Sequence, residues 1–222
     1  MFKKVSFTGI DNKTNIKRLL EIAEKYPNTE FGFLISEANT NKNVNNRYPN
    51  LVLLQQLKNK NINLALHVCG KLAREVAKTG SLESVKTFMG SYFDMFQRIQ
   101  LNLVGNTVTI PITDTYGKQV IIQTNLDEPK SKANYELYEQ TPTENIVYLS
   151  DKSGGHGEVT DFDFFDKYQG FAGGLNPENI LDRKADIDML VDYDYWLDME
   201  SGVRTNDWFD LDKVEDICKK LF

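Results

Sequence analysis

The chain is poor in the residues that build metal centres and disulfide frameworks, with two cysteines and two histidines among 222 residues. Cys69 and Cys218 lie far apart and on different predicted elements, which speaks for neither a disulfide scaffold nor a zinc site; no metal and no cofactor are expected. No apolar run approaches the roughly 18 residues that a membrane span requires. The N-terminus, Met1-Phe-Lys-Lys-Val-Ser, runs straight into a strand-like segment without a signal-peptide core, so a cytoplasmic protein is expected. An excess of positive charge is also missing. At a net charge of −6, neither nucleic acid nor an anionic membrane is an expected partner, and an anionic ligand must be held by a local site. No Pro/Gly/Ser-rich linker or shift in composition divides the chain, and residues 1–222 read as one domain.

What is present is 41% apolar and 26% charged, the balance of a soluble domain with a sizeable core. Strand-like and helix-like runs alternate from end to end. Strands are expected at 5–10, 30–36, 63–69, 97–104, 119–124, 145–150, 170–173 and 193–199, and helices at 15–26, 51–58 and 81–93 and from near Pro177 and Asp212. Runs such as Leu64-Ala-Leu-His-Val are apolar on both faces, as a covered parallel sheet requires. The fold class is therefore α/β, and eight such repeats make a (β/α)8 TIM barrel in which strand 1 pairs with strand 8. Residues 105–118 break the pattern: Thr107-Val-Thr-Ile-Pro-Ile-Thr113 reads as extended chain where a helix is due. The asparagine-rich stretch 38–50 reads as a loop at the C-terminal face of the barrel.

Two stretches carry the most chemistry. Gly170-Phe-Ala-Gly-Gly-Leu-Asn-Pro-Glu-Asn179 and Trp196-Leu-Asp-Met-Glu-Ser-Gly-Val203 each place glycine just past an expected strand and before a helix. Glycine lets backbone approach an anion closely, and freed N–H groups at a helix start attract it. Such a phosphate site recurs after strands 7 and 8 of barrels. The expected donors are Gly173, Gly174, Ser201 and Gly202, and the expected partner is a small, phosphorylated molecule. Two ordinary strand-to-helix turns are the plainer alternative.

The chain resembles the phosphoribosylanthranilate isomerase family of tryptophan biosynthesis. Val5-Ser-Phe-Thr-Gly-Ile-Asp-Asn12 is similar to that family's Val-Lys-Ile-Cys-Gly-Ile-Thr-Asn, and Arg47-Tyr48 stands where it has Ser-Pro-Arg-Tyr. Ile99-Gln-Leu-Asn102 resembles its Val-Gln-Leu-His; Tyr148-Leu-Ser-Asp-Lys-Ser-Gly-Gly-His-Gly157 with Phe162-Asp163 resembles its Leu-Leu-Asp, Gly-Gly-Thr-Gly and Phe-Asp-Trp. Gly173-Gly-Leu-Asn-Pro-Glu-Asn179 matches almost letter for letter, and Asp198-Met-Glu-Ser-Gly-Val203 is similar to its Asp-Val-Ser-Ser-Gly-Val.

The resemblance implies an intramolecular oxidoreductase: an acid opens a ribosylamine ring, a base removes the C2 proton, and an aldose becomes a ketose. By position the acid is Asp151, Arg47 holds a carboxylate of the substrate, and Asp198 orients an amine or hydroxyl. The base position departs from the family. Its cysteine is Thr8 here, whose hydroxyl ionises too weakly to act as a base at neutral pH. His67 and Cys69 share one face of strand 3, and His156 lies in the loop after strand 6; these are the candidate replacements. With Thr8 in the base position, weak or undetectable isomerase activity is expected unless one of them serves. Glu200 is a second departure, a carboxylate beside the phosphate loop that repels a dianion unless Arg204 or Lys152 neutralises it. Two other readings stay open: a barrel without catalysis that binds a phosphorylated metabolite or protein partner, and the same scaffold acting on a non-phosphorylated substrate. The oligomeric state is open.

Overall fold

A computed structural model of the chain describes residues 1–42, 46–103, 105–141, 143–154 and 157–222. In chain order the elements are β1 (Phe2–Thr8), α1 (Ile16–Lys25), β2 (Thr29–Ile35), α2 (Leu54–Leu57), β3 (Leu64–Val68), α3 (Lys71–Thr79), α4 (Glu83–Met89) and β4 (Arg98–Leu101). There follow β5 (Gln119–Thr124), α5 (Pro129–Gln140), β6 (Ile146–Ser150), β7 (Gln169–Phe171), α6 (Ile180–Leu190), β8 (Tyr195–Met199), β9 (Arg204–Thr205), β10 (Trp208–Phe209) and α7 (Leu211–Leu221). Strands β1 to β8 pair in sequence order, all parallel, and β8 returns to β1 with Val5 beside Leu197, closing the (β/α)8 barrel. Strands β9 and β10 form a small antiparallel pair outside it.

The two-residue period of a strand sorts side chains into two shells. Phe7, Phe31, Phe33, Leu66, Ile99 and Ile122 face outward into the main core, with Leu19 and Ile22 of α1, Val76 of α3 and Ile217 of α7. Inside the barrel, Ile121, Val147, Leu149, Ala172 and Trp196 form a separate apolar cluster. The indole of Trp196 fits because Gly170 faces it; a Cβ there would overlap both the indole and the Leu149 side chain. Helix ends are fixed by side chains: Asn15 accepts from the N–H of Arg18 at 3.1 Å to start α1, and Asp210 accepts from the N–H of Asp212 at 2.9 Å to start α7.

At the N-terminal end of the barrel a buried ion pair fills the interior. Arg98 Nη1 donates to Glu30 Oε1 at 2.8 Å, Ser6 donates to the same oxygen at 2.7 Å, and Lys4 Nζ lies 3.6 Å from Oε2. Arg98 also donates to Gln119 at 2.8 Å and stacks on Trp196, 4.2 Å from the ring centroid. Burial pushes Glu30 upward, but Arg98 and Lys4 outweigh it and hold the carboxyl below its ordinary value.

Residues 105–118 contain no helix among the described residues. Their backbone is satisfied by neighbours instead: Thr109 N–H donates to Ala77 O at 3.0 Å and Thr113 N–H to Gly80 O at 3.1 Å. Val108 N–H donates to the Asn134 side chain at 2.7 Å and Ile112 N–H to the Tyr138 hydroxyl at 3.2 Å. The helix expected at 81–93 is shorter, because Gly90, at φ +53°, ends α4 and a 3-10 stretch, Gly90–Met95, follows. Among the described residues no helix is long and apolar enough to cross a membrane.

The fit of Trp196 against a bare backbone gives a direct test. Gly170→Ala is expected to destabilise the fold by about 1–3 kcal/mol through overpacking, read as a lower midpoint in urea unfolding with an unchanged slope.

Candidate active site

Three loops at the C-terminal ends of β6, β7 and β8 meet backbone to backbone. A Cβ on Gly174, at φ +64°, would lie 2.5 Å from the Val159 nitrogen, and one on Gly202 would overlap the Leu175 carbonyl. Only residues without a side chain let these strands of backbone touch. The loop after β7 is held further by Asn176 and Asn179, whose amides donate to Gly174 O at 3.3 and 2.8 Å. The result is one cavity of about 320 Å³ at the mouth of the barrel, lined by Asp151, Gly173, Gly174, Asp198, Ser201 and Gly202, together with Gln100, Asn102, Gln123 and Glu200.

Asp151 follows β6 directly and is buried. Its Oδ1 accepts from the N–H and hydroxyl of Ser153 at 3.0 and 2.7 Å, and its Oδ2 from the Gln123 amide at 2.6 Å. Three donors from two elements fix its orientation. The carbonyl oxygen of that same Gln123 amide is buried without a hydrogen-bond partner among the described residues.

Thr8 stands at the end of β1, opposite Gly32, where a Cβ would come within 2.5 Å of its hydroxyl oxygen. The hydroxyl donates to Asp198 Oδ1 at 3.1 Å and lies 3.3 Å from His67 Nε2. An imidazole proton on Nε2 completes this chain, with the Thr8 oxygen as its acceptor. Asp198 is buried, faces Glu200, Asp151 and Glu30, and is driven up to about 8, desolvation being the first cause and those carboxylates adding to it.

The strand 3 candidates share a face as their spacing requires, but neither lines the cavity. Burial pushes His67 down to about 4, against the Glu30 charge, and keeps the ring neutral near pH 7. Cys69 accepts from the Asn102 amide at 3.1 Å and also bonds Tyr48; burial nonetheless pushes its thiol up to about 11. A neutral thiol is a poor base at neutral pH. His156 lies outside the described residues. Arg47 does not line the cavity itself but donates to Glu200, which does, at Oε1 and 2.8 Å, and to Asp207 at 3.5 Å.

Arg47, rather than Lys152, is thus the direct partner of Glu200. Lys152 is committed to Asp127 at 2.7 Å and Asp163 at 3.1 Å. Arg204 is buried and serves as a strut, donating to Gly9 O at 3.1 Å and Asp207 O at 2.9 Å, with Asp11 at 3.6 Å. Sequence reasoning gave Asp198 only an orienting role; its proton affinity comes from burial first, and then from the like charge of Glu200, Asp151 and Glu30.

The sequence model of the N-(5'-phosphoribosyl)anthranilate (PRA) isomerase family matches residues 76–220. The chain belongs to that family. The matched span holds Asp151, Gly173, Gly174, Asp198, Ser201 and Gly202, and leaves Thr8, Arg47, His67 and Cys69 outside it. A curated N-(5'-phosphoribosyl)anthranilate isomerase of Endomicrobium trichonymphae is 29% identical over 107 residues, 47% of this chain and 48% of its own length. The chain therefore aligns with about half the length of that curated relative. The structure of N-(5'-phosphoribosyl)anthranilate isomerase from Pyrococcus furiosus superposes with a TM-score of 0.54 over 98% of this chain and 97% of that one, at 20% identity, a likeness of fold.

The neutral, buried His67 has a measurable consequence. Unfolding returns the ring to an ordinary value near 6.5, so between 6.5 and about 4 the unfolded chain binds a proton that the folded one does not. Stability is expected to be full above that window and to fall as pH drops through it. Urea unfolding of wild type and His67→Gln at pH 7, 6, 5 and 4 should show a shallower acid decline in the variant; parallel curves would contradict it.

Proposed function

We propose that the chain catalyses the isomerisation named by its family, converting N-(5'-phosphoribosyl)anthranilate from its aldose to its ketose form by acid–base chemistry. The observation that carries this reading is the single cavity in which two buried carboxyl groups, Asp151 and Asp198, face the glycine-built rim of Gly173, Gly174, Ser201 and Gly202. The backbone of that rim is the proposed cradle for the phosphate. Asp151 is the proposed acid, delivering a proton to the ring oxygen as the C1–O bond breaks and the nitrogen lone pair forms the imine. The unpartnered Gln123 carbonyl beside it offers an acceptor to a sugar hydroxyl. Arg47 is the proposed partner of the anthranilate carboxylate; one arm of its fork donates to Glu200. Glu200 turned toward Arg47 favours a phosphorylated substrate over a non-phosphorylated one, since that pairing offsets the charge that would repel a dianion.

Complementation tests the reading: the gene is expected to restore growth without tryptophan to a strain lacking this isomerase, and Asp151→Asn to abolish it. No growth from a stably expressed chain would overturn the proposal. Ser201→Asp is expected to weaken binding of the phosphorylated product at least tenfold by calorimetry, because it sets a second negative charge beside the phosphate. Arg47→Lys is expected to raise KM for the aryl substrate while leaving affinity for inorganic phosphate within a few-fold, since lysine keeps the charge and loses the fork.

A further inference from the structure

We infer that Asp198 is the general base of this chain, doing from β8 what the family's cysteine does from β1. The inference rests on the isomerase reading above and on the closure of the barrel. Strands β8 and β1 are neighbours, with Ser6 in register with Asp198. The Thr8 hydroxyl, standing where the family carries sulfur, gives its proton to Asp198 Oδ1 at 3.1 Å. The basic atom is thereby displaced by one hydrogen bond, from strand 1 to the carboxyl beside it. Asp198 lines the cavity that Asp151 also lines, and that bond uses Oδ1, leaving Oδ2 for a substrate proton. Of the two candidates among the described residues neither reaches: His67 and Cys69 lie outside the lining, the first held against Thr8 and the second against Asn102.

The groups packed around Asp198 set its strength as a base. Glu200 from the same loop, Asp151 from the end of β6 and Glu30 from β2 face it with like charge; Thr8 from β1 is a neutral donor, and His67 on β3, behind Thr8, stays uncharged. Arg47 and Arg204 act on Glu200 rather than on Asp198. Desolvation with those carboxylates raises Asp198 to about 8. Once ionised, such a carboxylate takes a proton more readily than an ordinary one.

The step balances within the substrate. After Asp151 has protonated the ring oxygen and the C1–N bond has become an iminium, Asp198 Oδ2 removes the C2 proton. The C2–H electron pair forms the C1–C2 double bond and the C–N π pair returns to nitrogen. The resulting enol ketonises by losing its hydroxyl proton and gaining one at C1, with no oxidant or reductant. On this assignment the missing cysteine does not disable the reaction.

Four proteins decide it: wild type, Asp198→Asn, Thr8→Cys and the double variant, each checked for a cooperative thermal transition and assayed for kcat, KM and pH dependence on N-(5'-phosphoribosyl)anthranilate. Wild-type kcat/KM is expected to trace a bell against pH, because the reaction needs Asp198 ionised and Asp151 protonated at once, and Asp198→Asn is expected to lose one limb of it. Asp198→Asn is expected to lose about 100-fold or more in kcat with KM within a few-fold. The double variant, given a thiol where the family has one, is expected to recover at least about tenfold over Asp198→Asn. Asp198→Asn with wild-type kcat, a loss confined to KM, or a double variant as slow as Asp198→Asn would each overturn the assignment and leave Asp198 a positioning residue. Each of those outcomes spares the isomerase reading, because wild type is active in all of them; a folded, inactive wild type would overturn both.

Discussion

An eight-stranded parallel barrel leaves an interior only wide enough for side chains, so a charge placed there has to find its partner there too. This chain puts several carboxyl groups in that space or at its mouth and treats each differently. Glu30 receives Arg98, Ser6 and Lys4 and becomes part of the scaffold. Asp151 receives the Gln123 amide and Ser153, and Glu200 receives Arg47. Asp198 receives one neutral hydroxyl, that of Thr8, while its neighbours supply like charge. Burial and that unequal division of donors leave Asp198 with an unusual affinity for protons.

Much of the barrel was legible because strands buried on both faces write long apolar runs, as in β3, Leu64–Val68. The glycine loops after β7 and β8 were legible for a related reason, since backbone touching backbone leaves no choice of residue. What escaped was structure with weak periodicity. Helix α5 carries a cap at Glu128 and a proline at its start but buries only Asn134 and Tyr138, so no apolar stripe announces it. Helix α3 opens without a side-chain cap after Gly70, so no start signal marks it.

The candidate site divides in the same way. Positions could be read: the parity that sets His67 and Cys69 on one face, and the alignment of Asp151 and Asp198 with barrel mouths, need only local spacing. Proton affinities could not. His67 is neutral because β3 is buried on both sides, and Cys69 is a thiol because it is desolvated beside Asn102 and Tyr48. Asp198 depends on residues as distant in sequence as Glu30 and Thr8, brought together only when β8 closes on β1.

The helix-free segment 105–118 has a consequence for how this barrel could be divided or recombined. Its amides donate to Ala77 and Gly80 behind it and to Asn134 and Tyr138 ahead of it, so the fourth βα unit is stitched to the third and the fifth. A cut between β4 and β5 parts the segment from one set of acceptors, Ala77 and Gly80 or Asn134 and Tyr138, according to the side on which it falls. Half-barrels separated at that boundary would begin with orphaned backbone donors, whereas a junction outside residues 77–138 keeps this seam within one piece.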